Sequence, residues 1–133
     1  AFFSPADGYN FAVHAARAAF AGRQFRAAAD QRISPTYVPH LCDATLDLLL
    51  DRAGGTWHLT NGRSLSWAEF AREVVRACGL DPRIVEPVAG ADLQQLAMRP
   101  AHAGLTSVRG ALLPPLDHAL HDFAARAQLS QPA

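Results

Sequence analysis

The groups best suited to hold a ligand are polar side chains on a loop that runs into a helix. Asp30-Gln31-Arg32-Ile33-Ser34-Pro35-Thr36 is such a loop, preceded by a short strand candidate over 25–29. The order strand, polar loop, helix N-terminus is one where α/β proteins carry ligand contacts. Arg99, just ahead of Pro100, is the best anion partner by type. Its planar guanidinium suits phosphate oxygens bidentately; a solvated or acid-paired arginine is the alternative. His118 and His121 stand at i and i+3 beside Asp117 and Asp122, a spacing compatible with metal ligation. No third ligand lies at motif distance, so no metal is expected. His58, alone in an apolar stretch, reads as a packed, hydrogen-bonded histidine. Cys42 and Cys78, far apart on apolar helical faces, read as buried free thiols rather than a disulfide.

Local signals define the elements that must position these groups. Asp7-Gly8 marks a turn, and Asn10 can cap a helix over 11–21 with Phe11, Ala15, Ala18 and Ala19 inward and Gly22 as its stop. A second helix, about 37–52, follows the polar loop; Ser34 or Thr36 could cap it, and Pro35 or Pro39 costs little in a first turn. Val38, Leu41, Cys42, Thr45, Leu46, Leu48 and Leu49 would give it one broad apolar face. Gly54-Gly55 then breaks the chain, and Thr56–Thr60 reads as a strand closed by Asn61-Gly62.

Ser66-x-x-Glu69 is a capping box opening a helix that ends at Gly79, with Trp67, Phe70, Val74 and Val75 inward. Capping accounts for that motif fully, so it is assigned no chemistry. Asp81-Pro82 is a turn before a strand over 83–88, a short helix is expected at 91–97, and a last helix at 115–128 precedes a frayed end.

With 133 residues, half of them apolar, the chain can bury one core and is too short for two. Twelve basic and twelve acidic residues balance, so nothing favours a polyanionic nucleic-acid backbone. No apolar run approaches the ~18 residues of a membrane span. The opening Ala1-Phe2-Phe3-Ser4-Pro5 lacks the charged start of a signal peptide and reads like the tail of a strand met mid-chain. All twelve basic residues are arginines; there is no lysine.

Taken in order, Asn10-Phe11, the Asp-Gln-x-x-Ser-Pro-Thr loop at 30–36, Trp57-His58-Leu59, Ser66-Trp67-x-Glu69-Phe70 and Arg99-Pro100 before Leu105 resemble the dTDP-4-dehydrorhamnose reductase family, a branch of the extended short-chain dehydrogenases. The resemblance runs from about Pro5 to Ala127. It implies an α/β fold: the mostly helical, C-terminal substrate-binding portion of a Rossmann-like parent, with about four to five helices and a few short strands. All of 1–133 would be one nucleotide-sugar domain, its N-terminal dinucleotide-binding half absent.

The implied parent reduces the C4 ketone of dTDP-4-dehydro-L-rhamnose to dTDP-L-rhamnose in the bacterial cytoplasm. NADPH or NADH would be bound by the missing half, with no cofactor in this part. The family's Tyr-x-x-x-Lys pair, in which lysine lowers the tyrosine pKa for proton donation, is not present: Tyr9 and Tyr37 are followed four residues on by Val13 and Leu41. Nor is there a Gly-x-Gly-x-x-Gly. This polypeptide alone is therefore expected not to catalyse.

The resemblance assigns dTDP-sugar contacts to Asn10 and Gln31 (polar), Pro35 (loop shape), Thr36 (hydroxyl) and Arg99 (charge), with simple helix capping as the other role for Asn10. Ala103 stands where the family usually keeps a hydroxyl in Arg-Pro-x-x-Ser-x-Leu. Other readings are a non-catalytic binding or regulatory module, a nucleotide-sugar epimerase fragment, and a scaffold without affinity for nucleotides. Expected partners are the dTDP-sugar and the missing half, with self-association through the face that half would cover.

Overall fold

The structure is a computed structural model that describes residues 1–127. The expected fraying of the last residues, and a helix reaching 128, concern positions outside the described residues. Helix α1 (Phe11–Phe20) starts where Asn10 Oδ1 accepts the Val13 amide at 3.1 Å. It stops before Gly22, whose φ of 65° relieves the left-handed turn. Helix α3 (Trp67–Ala77) carries the full capping box: Ser66 Oγ accepts from the Glu69 amide at 3.1 Å, and Glu69 Oε2 accepts from the Ser66 amide at 2.7 Å. The bond from the Ser66 amide is the main cause that draws the Glu69 carboxyl below its ordinary pKa.

Strands β1 (Phe2–Phe3) and β4 (Thr36–Tyr37) pair in parallel, as do β2 (Phe25–Ala28) and β6 (Val85–Val88). Pro87 is tolerated in β6 because only β2 hydrogen-bonds to that strand. A third sheet has the order β5 (Leu65–Ser66), β3 (Arg32–Ile33), β7 (His102–Ala103). Two more helices, α2 (Val38–Leu50) and α4 (Leu116–Arg126), complete the α/β fold.

The core forms where α3 meets α1 and α4. Phe3 lies 5.2 Å from both Tyr37 and Phe70 and 5.7 Å from Phe123, with Val13, Val74, Leu116 and Leu120 around them. Each buried ring is worth roughly 1.5–3 kcal/mol by transfer. Behind α3, Ala15, Ala27, Ala68 and Ala71 let α1, α3 and β2 approach closely, and Val75 and Val85 fill the remaining space. No described helix is long and apolar enough to cross a membrane.

Several expectations are corrected. The segment Thr56–Thr60 is not a strand: it pairs with none among the described residues, and His58 is exposed rather than packed. The helix expected at 91–97 is only a 3-10 turn, Gly90–Leu93, ended by Gln94 in the left-handed region at φ 48°. Helix α2 has no side-chain cap, because Ser34 is committed to Leu105 and Thr36 lies inside β4; Pro39 sits in its first turn instead.

The broad apolar face of α2 does not meet the core. Only Ala44 is fully buried on that helix, and Cys42 is exposed. Cys78 is half-buried, and burial raises its thiol pKa.

Candidate functional site

The polar loop at 30–36 is tied down by three long-range contacts. Asp30 Oδ1 accepts from the Gly90 amide at 2.8 Å, the Gln31 carbonyl takes the Trp67 amide at 3.3 Å, and the Arg32 amide donates to Ala101 O at 2.8 Å. Gln31 packs flat on Gly90. A Cβ there would collide with the Gln31 amide nitrogen and stand 2.8 Å from its Cδ, so this approach requires glycine. The Gln31 side chain is buried, and its Oε1 has no hydrogen-bond partner among the described residues.

Ser34 closes the other end. Its hydroxyl accepts from the Leu105 amide at 2.8 Å and donates to the Leu105 carbonyl at 3.1 Å. With Ile33 paired to Ala103, this holds the segment after Arg99 against the loop. A Cβ on Gly104 would come 2.8 Å from Ser64 Oγ, so the segment approaches closely there and a side chain would have to turn the exposed Ser64 hydroxyl aside.

Two adjoining clefts result. One, of about 230 Å³, is lined by Phe11, Arg26, Trp67, Leu93, Gln95 and Arg99, with Ala27 and Ala28 at its floor. The other, of about 320 Å³, runs along Gln31, Gly90 and Gln94 to Arg99. Gln95 and Arg99 border both.

Phe11 and Trp67 pack at 4.6 Å between centroids, giving the first cleft an aromatic wall. Arg26 is shared with Glu86 at 3.6 Å, whereas Arg99 makes no ion pair among the described residues. An aromatic wall beside a free guanidinium can stack a planar ring and neutralise an anion.

The structure thus brings Gln31 and Arg99 together. Asn10 stands one residue before Phe11, but its amide is used internally: Nδ2 donates to Ser4 O at 2.6 Å and to Asp7 O, while Oδ1 caps α1. Pro35 and Thr36 are buried in the core and line neither cleft; Thr36 Oγ1 donates to Ser34 O at 3.3 Å. Ala103 is exposed in β7.

Sequence reasoning missed Ser34 as a strap and Gly90 and Gly104 as close-approach glycines. The glycines themselves were the available signal, since both stand in a stretch with no turn motif to explain them. It also missed Asn61, read only as a turn residue. Asn61 Oδ1 accepts the Tyr37 amide at 2.7 Å, and its Nδ2 donates to Pro114 O at 2.7 Å. Tyr37 is no proton donor to a ligand: it is buried, and that burial pushes its phenol pKa up.

The fold is thus a helical α/β unit with an aromatic and cationic cleft at a loop–helix junction. The family model described as "RmlD substrate binding domain" matches residues 2–117, and the chain belongs to that family. It is 39% identical over 92 residues to dTDP-4-dehydrorhamnose reductase of Mycobacterium tuberculosis (strain ATCC 25618 / H37Rv), covering 67% of this chain and 30% of that one. It is 37% identical over 91 residues to a probable dTDP-4,6-dihydroxy-2-methyloxan-3-one 4-ketoreductase of Streptomyces antibioticus, covering 66% and 31%.

Among solved structures, dTDP-4-dehydrorhamnose reductase from Bacillus anthracis in complex with NADP superposes with a TM-score of 0.81 at 28% identity, covering 92% of this chain and 44% of that one. The Clostridium acetobutylicum orthologue gives 0.82 at 23% identity, over 93% and 45%. The chain therefore spans about a third of the curated relatives it matches and under half of the solved chains.

Proposed function

We propose that this chain is the nucleotide-sugar-binding part of a reductase that converts the C4 ketone of dTDP-4-dehydro-L-rhamnose to the alcohol with NADPH, giving dTDP-L-rhamnose. The observation that carries the reading is the junction of the two clefts at Arg99, with the Phe11–Trp67 wall on one side and buried Gln31 on the other. The guanidinium would take the diphosphate, the aromatic wall would border a planar ring, and the unpartnered Gln31 Oε1 would accept from a ligand hydroxyl or N–H. Asn10 would shape the approach through the α1 cap, and Pro35 and Thr36 would act from beneath by holding the loop.

This chain contains no lysine, so the Tyr-x-x-x-Lys pair and the cofactor site would lie on a dinucleotide-binding half outside it. A biosynthetic reductase of this kind would work in the cytoplasm. The test is the melting temperature with dTDP, dTDP-rhamnose, UDP and NADPH, since a ligand of the folded form raises the midpoint. A rise with the dTDP ligands and none with NADPH supports the reading. No rise with dTDP, in this chain or in the presence of the other half, refutes it.

A further inference from the structure

Parallel strands β2 and β6 run side by side as far as Ala28 and Val88, and the Ala29 amide adds one more bond, to Val88 O at 2.8 Å. The ladder therefore delivers Gly90 against Asp30 and Gln31, the residues that leave β2. The main chain is fixed on both sides of this meeting. The Asp30 carboxylate accepts the Gly90 amide, the Gln31 carbonyl accepts the Trp67 amide, and the Arg32 amide is bound to Ala101 O. Neither backbone can draw back, so side chains decide how Gly90 and Gln31 fit.

Gly90 does not occupy the left-handed region, so its missing Cβ matters for space and not for backbone freedom. The Gln31 amide fills that space. A Cβ would collide with Nε2 and stand 2.8 Å from Cδ and 3.2 Å from Asp30 Oδ1. Gly90 is buried, and Gln31 is only 9% exposed. In this pose Gln31 Oε1 is buried with no donor among the described residues. A buried acceptor left unpaired works against the folded state, and a freely turning glutamine would carry it into water. A site that holds such an acceptor in place is set for a donor that arrives with a ligand.

The chemistry of that donor follows from where the clefts meet. Arg99 borders both, Phe11 and Trp67 wall one, and Gln31 lines the other. With a diphosphate at Arg99 and a planar base on the aromatic wall, the group that reaches Gln31 is the one beyond the diphosphate. In a dTDP-hexose that group is the sugar, whose donors are hydroxyls.

We propose that Gly90 is a positioning residue: by leaving room for the buried Gln31 amide it keeps Oε1 aimed at a hexose hydroxyl, and so sets the preference for the sugar nucleotide over the bare nucleotide. This rests on the reading that the chain holds a dTDP-sugar, and adds how the two ligands are told apart.

The parent, Gly90→Ala, Gln31→Ala and the double variant are titrated calorimetrically with dTDP and with dTDP-rhamnose. The other half is added to every sample if the chain alone does not bind dTDP. The parent should bind dTDP-rhamnose about tenfold more tightly than dTDP, the worth of one well-made hydrogen bond. Gly90→Ala should close that gap, the loss falling on dTDP-rhamnose. Gln31→Ala should close it too, and adding Gly90→Ala to it should do nothing further, because both act through one amide. A glycine that served only the fold would weaken both ligands together. Melting temperatures carry the same coupling: Gly90→Ala should lower the parent's by several degrees and cost little once the Gln31 amide has gone. The double variant should therefore fold even if Gly90→Ala alone does not.

A gap that survives Gly90→Ala would overturn the proposal, as would equal losses for both ligands, an added loss beside Gln31→Ala, or a double variant that fails to fold. A parent that binds dTDP and dTDP-rhamnose alike overturns it and leaves the nucleotide site standing. No binding of dTDP by any sample removes the nucleotide-sugar reading itself.

Discussion

Replacing Ser34 by alanine tests how the segment carrying Arg99 is held. The hydroxyl makes two bonds to one residue, accepting from the Leu105 amide at 2.8 Å and donating to the Leu105 carbonyl at 3.1 Å. A typical intramolecular bond contributes about 0.5–1.5 kcal/mol net, and a fully buried group left unpaired costs about 1–3 kcal/mol. Ser34 is buried but Leu105 is partly exposed, so water can recover some of the loss at the Leu105 backbone. Together these place the cost near 1–2 kcal/mol, a fall of about 3–6 °C in melting temperature for a domain of this size.

The pairing of Arg32 with His102 and Ile33 with Ala103 survives the change, so the fold should persist while the chain beyond β7 loosens. Urea titration gives the stability, and hydrogen exchange at the Leu105 amide reports the strap. Affinity for dTDP should fall more than the affinity of a control destabilised to the same degree elsewhere. Unchanged exchange at Leu105, or a loss under about 0.5 kcal/mol, would refute the view that Ser34 fixes this segment.

Three further changes probe separate parts. Ser66→Ala removes the acceptor for the Glu69 amide and should cost about 1 kcal/mol in urea titration, with m unchanged because the denatured state is unaltered. Arg99→Ala removes an exposed side chain that makes no ion pair among the described residues; stability should stay within about 0.5 kcal/mol while calorimetric dTDP binding weakens. Asp122 is held below its ordinary carboxylate pKa chiefly by the His40 hydrogen bond, so its contribution is present above the unfolded value and is lost as pH falls through the lower folded value. The melting-temperature gap between the parent and Asp122→Asn should therefore be open at pH 6 and close in the acid range below about pH 4.

Much of the fold was legible because its signals are local. Asn10 before Phe11, and Ser66 three residues before Glu69, define helix starts through bonds made within one turn, and both caps form. The strand at 25–28 and the last helix also sit where periodicity places them, within a residue or two. At the site, the loop of 30–36 and Arg99 were visible by residue type, and the two clefts meet at Arg99, with Gln31 lining one of them.

What needed the tertiary structure was every decision that depends on a distant neighbour. Hydrophobic periodicity says that one side of α2 is apolar, not whether anything lies opposite it; the side that meets the domain is instead the one carrying His40 and Ala44. Residues 56–60 have strand composition, but a strand exists only when another edge supplies its hydrogen bonds. Ser34 could cap a helix one turn on, yet it is spent on Leu105, 71 residues away. Gly90 and Gly104 matter through side chains of the loop and of Ser64 that press on them. Capping and periodicity are set within a few residues of chain, whereas burial, strand pairing and the shape of the clefts are set by which surfaces the folded chain brings face to face.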